Sequence, residues 1–177
     1  PQLVNCVFSK NDCRGIVYAV HSEVSITNCT FFNNQTGKAI LPYNIRTGVL
    51  YADSNSVLNV TNSVFFKNKF LESYDSTDIS LKNSTITITN TITQNYNSGN
   101  AYLLAVDPQF KDIINVAGAD QLYFTEDDGL QLQSCSPAIN AGINILPGIV
   151  SVDLLQHPRV FNLLTDIGAY EYQAGNG

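Results

Sequence analysis

An eleven-residue phrase occurs twice in the first half of this chain, and fragments of it occur twice more. It reads Val-Ser-Ile-Thr-Asn-Cys-Thr-Phe-Phe-Asn-Asn from Val24 to Asn34, and Leu-Asn-Val-Thr-Asn-Ser-Val-Phe-Phe-Lys-Asn from Leu58 to Asn68. A partial copy opens the chain at Leu3, Asn5, Cys6, Phe8 and Asn11, and a looser one runs from Ile79 through Asn83, Ser84 and Ile86 to Thr89. The Asn that marks each copy falls at 5, 28, 62 and 83, in steps of 23, 34 and 21 residues. Self-similarity of this size implies stacked units, each burying its apolar face against the next.

Within each copy apolar and polar residues alternate and β-branched residues are frequent, the pattern of a strand with one buried face. Val24 and Ile26 point inward, as do Leu58 and Val60, then Ile79 and Leu81. At the Asn the alternation resets, so that Cys29 with Phe31, or Ser63 with Phe65, becomes the inward pair. A strand that bends at one residue and continues inward is the corner of a coil. The expected fold is therefore all-β, a parallel β-helix whose turns stack at about 4.8 Å. Stacking predicts a column of Asn5, Asn28, Asn62 and Asn83, whose carboxamides bond up and down the stack. Phe8, Phe31, Phe65 and Ile86 would line up inside. The long step leaves room for a surface loop around Thr36–Thr47. An ordinary β-sandwich would need the alternation but not the recurring Asn and Phe.

The chain has 177 residues and a net charge of −6, with its nine Lys and Arg scattered. The basic stripe of a nucleic-acid groove is missing. No apolar run approaches the ~18 residues of a membrane span. The chain starts with Pro, inside a repeat, which suggests a processed product or excised fragment whose upstream turns are missing. The expected organisation is β-helix repeats over residues 1–100, about four turns, and a last turn with an irregular cap over 101–177. Cys6, Cys13, Cys29 and Cys135 match no zinc spacing; Cys6 and Cys29 hold equivalent repeat positions and read as stacked, buried thiols interchangeable with Ser63 and Ser84. A disulfide between them is compatible with an oxidising compartment but not required. The sequons at Asn28, Asn34, Asn59 and Asn83 arise from composition, and Asn28 and Asn83 are expected to face inward.

After about Asn95 the repeat gives way to other phrases. These are Asp107-Pro108-Gln109-Phe110, Ser136-Pro137-Ala138-Ile139-Asn140-Ala141-Gly142, Pro158-Arg159, and Asp166-Ile167-Gly168-Ala169-Tyr170-Glu171. Their order resembles the C-terminal region of secreted bacterial right-handed parallel β-helix proteins of the choice-of-anchor type. The resemblance implies a right-handed single-stranded coil, export, display at the cell surface, and an anchoring or sorting segment beyond the Tyr-Glu-Tyr end. Asn140 stands where that family carries Asp, so a role for that charge does not carry over. Independently of the family, Asp153, Arg159, Asp166 and Glu171 are the charges set closest to apolar residues. Arg159 is expected to pair with one or two of these carboxylates in a clamp that covers the last turn.

Asp120, Glu126, Asp127 and Asp128, closing on Gly129, are the candidate calcium ligands, because Ca²⁺ takes six to eight oxygens. The EF-hand order is not met, since Tyr123 and Phe124 fall at ligand positions. Asp75 and Asp78 form a weaker pair. No other cofactor is implied. His21 and His157 belong to no triad-like motif, and no repeat carries the paired carboxylates that acid–base cleavage needs. Tyr18, Tyr43, Tyr51, Tyr74, Tyr96 and Tyr102 are expected on the surface, where aromatic faces suit sugar rings. Thr85, Thr87, Thr89, Thr91 and Thr93 alternate along one stretch, which does not make an outward ladder from turn to turn. The expected function is adhesion or carbohydrate contact without catalysis. A polysaccharide or other surface glycan is the partner, together with secretion or anchoring machinery. The tail of a secreted polysaccharide lyase or glycoside hydrolase is the alternative.

Overall fold

The computed structural model describes residues 1–36, 48–70, 78–94, 103–145 and 151–174. Among them the regular structure is entirely β, and every pairing between strands is parallel. The first sheet holds β1 (Gln2–Val4), β4 (Glu23–Thr27), β8 (Val57–Thr61) and β12 (Thr85–Thr89), in that order. The second runs β2 (Val7–Ser9), β5 (Thr30–Phe32), β9 (Val64–Phe66), β13 (Thr91–Thr93) and β14 (Leu103–Leu104). The third holds β3 (Val17–Val20), β7 (Leu50–Asp53) and β11 (Ile79–Leu81), and a short pair joins β6 (Gln35–Thr36) to β10 (Lys69–Phe70). Each pass of the chain thus adds one strand to the first sheet and the next strand to the second. That placement is why the phrase recurs.

The bends have a backbone cause. Asn5, Asn28, Asn62 and Asn90 all lie at φ between 44° and 51°, and each joins a first-sheet strand to a second-sheet strand. A left-handed residue costs least as Gly or Asn, so Asn marks this corner. Lys10, Asn33 and Lys67 turn the next corner, and His21, Asn55 and Asn83 a third, all at positive φ. The fourth member of the Asn5 column is therefore Asn90 and not Asn83. Ile86 pairs with Leu58 and Ile88 with Val60, so Thr85–Thr89 is the equivalent of β8 and the repeat step there is 28 residues. Asn83 is exposed, and Ile86 belongs to the first sheet. Thr93 occupies the position next to Phe65. The aromatic stack itself comprises Phe8, Phe31 and Phe65, with ring centroids 4.9 and 4.6 Å apart and planes within 6° of parallel.

The carboxamides of the corner column do not bond to one another as expected. The polar ladder runs instead through the Asn at the end of each phrase. Asn11 Nδ2 donates to Asn34 Oδ1 (2.8 Å), Asn34 Nδ2 to Asn68 Oδ1 (3.0 Å), and Asn68 Nδ2 to Asp78 Oδ1 (3.0 Å). A second ladder uses the residue after the corner, where Cys29 N donates to Ser63 Oγ and Ser63 N to Thr91 Oγ1. Ser84 is part of another, in which Ser22 N donates to Ser56 Oγ and Ser56 N to Ser84 Oγ. On the solvent side of the first sheet, Thr27, Thr61 and Thr89 do align across three passes.

Two cores result. The first, between the sheets, contains Val24, Ile26, Phe31, Leu58, Val60 and Phe65. The second lies outside the second sheet, where Phe32, Val64, Phe66 and Ile92 meet Phe110, Leu130, Leu132, Ile167, Ala169 and Tyr170. The Phe-Phe doublets explain both: the first Phe faces in, the second faces out, and a parallel sheet apolar on both faces must be covered on both. The segment after β14 supplies the cover. It contains no strand among the described residues, only the antiparallel bridges Phe110–Leu132 and Val152–Pro158. It does not simply close the last turn, as expected; it lies along the flank and touches every pass. Asn5 Nδ2 donates to Val152 O, Ala169 N to Thr30 Oγ1, Gly168 N to Asn62 O, and Asn90 Nδ2 to Ala141 O.

Candidate functional site

The flanking segment holds the one dense group of buried charges among the described residues. Arg159 is 2% exposed; its Nη2 donates to Asn5 Oδ1 (2.6 Å) and Ala169 O (2.9 Å), and its Nη1 lies 3.6 Å from Glu171 Oε2. Asp166 accepts from the amides of Asn140 and Tyr172 at 2.7 Å, and Asp153 accepts from those of Leu155, His157 and Glu171. Arg159 therefore has one carboxylate as a direct neighbour, and it joins the flanking segment to the first pass. The other two carboxylates tie separated stretches of the flanking segment together. Burial pushes Glu171 up to about 8, helped by the Asp166 charge and opposed by Arg159. Burial also raises Asp166 and lowers Arg159.

Outside this cluster lies a polar cleft of about 300 Å³. Its rim carries Lys111, Glu126, Gln133, His157, Tyr172 and Gln173. His157 Nε2 sits 3.0 Å from Glu126 Oε1, while Asp153 holds the His157 amide at 2.9 Å and its Oδ2 is 3.8 Å from Nδ1. Lys111 Nζ donates to Gln131 Oε1, and Gln131 Nε2 donates to the carbonyls of Thr125 and Glu126, which fixes that wall. Two polar atoms here, His157 Nδ1 and Gln173 Nε2, are buried without a hydrogen-bond partner. Buried polar groups in native proteins are normally satisfied, so these two atoms are exceptions in the wall of the cleft.

The four candidate calcium ligands do not converge. Thr125 Oγ1 and the amides of Asp120 and Ala119 bond Asp127 and hold its carboxyl below the usual range. Asp128 is fully buried and accepts from Phe124 N and the Tyr170 hydroxyl (2.7 Å). Asp120 accepts from Leu122 N, and Glu126 faces His157. Asp120, Asp127 and Asp128 accept from amides and hydroxyls of the surrounding chain and Glu126 faces His157, and no group of three or more His, Cys, Asp or Glu among the described residues is placed to hold a metal ion. Asp78 is buried under Asn68 and Thr93 Oγ1, and Asp75 lies outside the described residues.

Of the tyrosines expected on the surface, Tyr18 is half exposed and stacks at 4.7 Å on Tyr51. Tyr51 is 4% exposed and its hydroxyl donates to Asp53, so it is a packing residue; Tyr43, Tyr74, Tyr96 and Tyr102 lie outside the described residues. Asn83 borders a shallow groove with His21 and Asn55. Sequence reasoning missed Tyr172 and Gln173 in the cleft, because nothing in their spacing marks them. They are brought to Glu126 and His157 only by the path of the flanking segment. No helix among the described residues is long and apolar enough to cross a membrane. No protein-family model, curated protein or solved structure matches the chain.

Proposed function

We propose that this chain is the C-terminal part of a secreted, surface-displayed bacterial protein built as a right-handed single-stranded parallel β-helix, and that it contacts carbohydrate without cleaving it. The parallel sheets that take one strand from each pass support the solenoid reading, and crossovers between parallel strands are right-handed in almost all proteins. The C-terminal phrases support export and a separate anchoring segment that secretion or sorting machinery would recognise. One observation carries the glycan reading: Gln173, His157, Lys111 and the Tyr172 ring line a single polar cleft. Convergent amide, imidazole and ammonium groups beside an aromatic face suit a hydroxyl-rich ligand, in a recess where a few polar groups set orientation.

The cleft contains two carboxylates, but they are not equally presented. The Glu126 side chain is 64% exposed and that of Glu171 is 0% exposed. A glycosidase needs both carboxyl groups within reach of the scissile bond. This favours binding over hydrolysis. The test is retention of the purified chain on a panel of neutral and acidic polysaccharides, with Gln173→Ala and Tyr172→Ala as variants. The expected result is retention that drops at least tenfold in either variant, with no reducing ends or unsaturated products released. Undiminished retention in both variants overturns the site, and product release overturns the non-catalytic reading.

A further inference from the structure

We propose that Cys6 and Cys29 are a dithiol pair that closes an intrachain disulfide and covalently ties the first pass of the chain to the second. They are the residues after the paired corners Asn5 and Asn28, and Thr30 N donates to Cys6 O at 2.8 Å across the same rung. In-register neighbours on parallel strands stand about 4.8 Å apart, inside the Cα separations that a disulfide spans. The two thiols lie in the same register: the Cys6 S–H donates to Val4 O at 3.2 Å and the Cys29 S–H to Thr27 O at 3.3 Å, the paired carbonyl one pass on. Both are reduced as they stand. Farther along the same column the position is held by Ser63 and then Thr91, so only the first two members can be linked.

The environment gives the two sulfurs different parts. Cys29 is fully buried, with its sulfur 3.3 Å from Thr27 O and 3.6 Å from Leu3 O, whereas Cys6 is partly open. The neighbouring Cys29 thiol draws the Cys6 thiol down to about 6 against the opposing effect of burial, and Cys6 together with burial raises Cys29. Cys6 is thus the thiolate that meets an external oxidant, and Cys29 is the resolving thiol. With a small disulfide of the glutathione class, the Cys6 thiolate attacks one sulfur of the oxidant and expels the other as a thiolate. Cys29 then gives up its proton, attacks the Cys6 sulfur of the mixed disulfide and expels the second thiolate. One oxidant disulfide is reduced to two thiols, and the two cysteines lose two hydrogens to become a cystine.

Cys13, whose sulfur lies near Gly15 O, and Cys135, exposed and beside Gln109 Oε1, serve as internal competitors. The experiment treats the full chain with oxidised glutathione, then applies tryptic mapping by mass spectrometry. The expected product joins peptide 1–10 to peptide 15–38, minus two hydrogens, with no glutathione retained on Cys6. Cys29→Ser, which installs the hydroxyl already present at Ser63, should stop at a stable glutathione adduct on Cys6. The oxidised wild type should unfold at higher denaturant concentration than the reduced form, and dithiothreitol should reverse the gain. A lasting Cys6 adduct in the wild type, a link from Cys6 to Cys13 or Cys135, or no change at Cys6 once Cys135 has reacted fully would each overturn the proposal. An oxidised form with an unchanged midpoint would overturn the tie.

Discussion

The Asn residues of this protein divide into two kinds that the sequence writes identically. Asn28 is buried at a left-handed corner, and its Oδ1 has no hydrogen-bond partner. Asn62, one pass later, accepts from Ile143 N and donates to Ile143 O, each at 2.9 Å. The backbone need is shared and the side-chain need is not. Asn28→Gly is therefore expected to change stability by no more than about 0.5 kcal/mol, because Gly tolerates positive φ. Asn62→Gly leaves two groups of Ile143 unpaired and should cost about 1–3 kcal/mol. Asn34→Ala removes the centre of the true ladder, where Asn11 and Asn68 both depend on it, and should cost at least as much as Asn62→Gly. Urea unfolding of the three variants checks the order.

Glu171 gives a pH prediction of fixed sign. Its folded value of about 8 lies above its ordinary 4.5, so the folded protein keeps a proton that the unfolded chain releases. The associated stability is complete below about 4.5 and is lost as pH rises toward 8. Asp166, also raised, contributes with the same sign. The size is on the order of a few kcal/mol. Urea midpoints measured at pH 5 and pH 8 should fall with pH in the wild type. In Glu171→Gln the fall should be smaller, because a carboxamide cannot lose that proton.

At the scale of elements, the strands β4, β5, β8 and β9 were readable because alternation is a property of a few consecutive residues. The outward faces of β5 and β9 were readable in principle from the doublets Phe31-Phe32 and Phe65-Phe66. The fourth repeat was not, since Ile79 to Asn83 and Ile86 to Asn90 each satisfy the local phrase. Only the pairing of Thr85–Thr89 with β8 separates them. The cover over the second sheet can be tested directly. Phe66→Ala removes a side chain packed against Phe32 and Phe110 and is expected to cost roughly 3–5 kcal/mol. Gly142→Ala places a Cβ 2.6 Å from Thr165 O and 2.9 Å from Asn62 Oδ1. It should loosen residues 138–145 while leaving the first core intact, seen as faster hydrogen exchange at Ile143 and Ile167 than at Leu58.

For the whole molecule, the flanking segment changes how the stack should unfold. A pile of repeats in which each contacts only its neighbours unfolds piecemeal from its ends. Here one segment bonds to the first pass at Asn5, the second at Thr30, the third at Asn62 and the fourth at Asn90. Amide hydrogen exchange in rising urea, followed at Leu58 in the sheets and at Ile167 in the flanking segment, should report one common opening in the wild type. Arg159→Ala leaves Asn5 Oδ1 and Glu171 without their partner, and should open Ile167 at lower urea than Leu58.

The sequence by itself determined the strands β4, β5, β8 and β9, the inward stack of Phe8, Phe31 and Phe65, and the corners at Asn5, Asn28 and Asn62, because alternation and left-handed backbone are settled within a few residues. Tertiary structure decided which Asn residues bond each other, that Asn90 and not Asn83 completes the corner column, and that the four acidic side chains near Gly129 do not converge on one point. It also decided that Tyr172 and Gln173 meet His157. A hydrogen bond or a cleft needs two partners distant in sequence, and which partners arrive together depends on the length of every intervening pass.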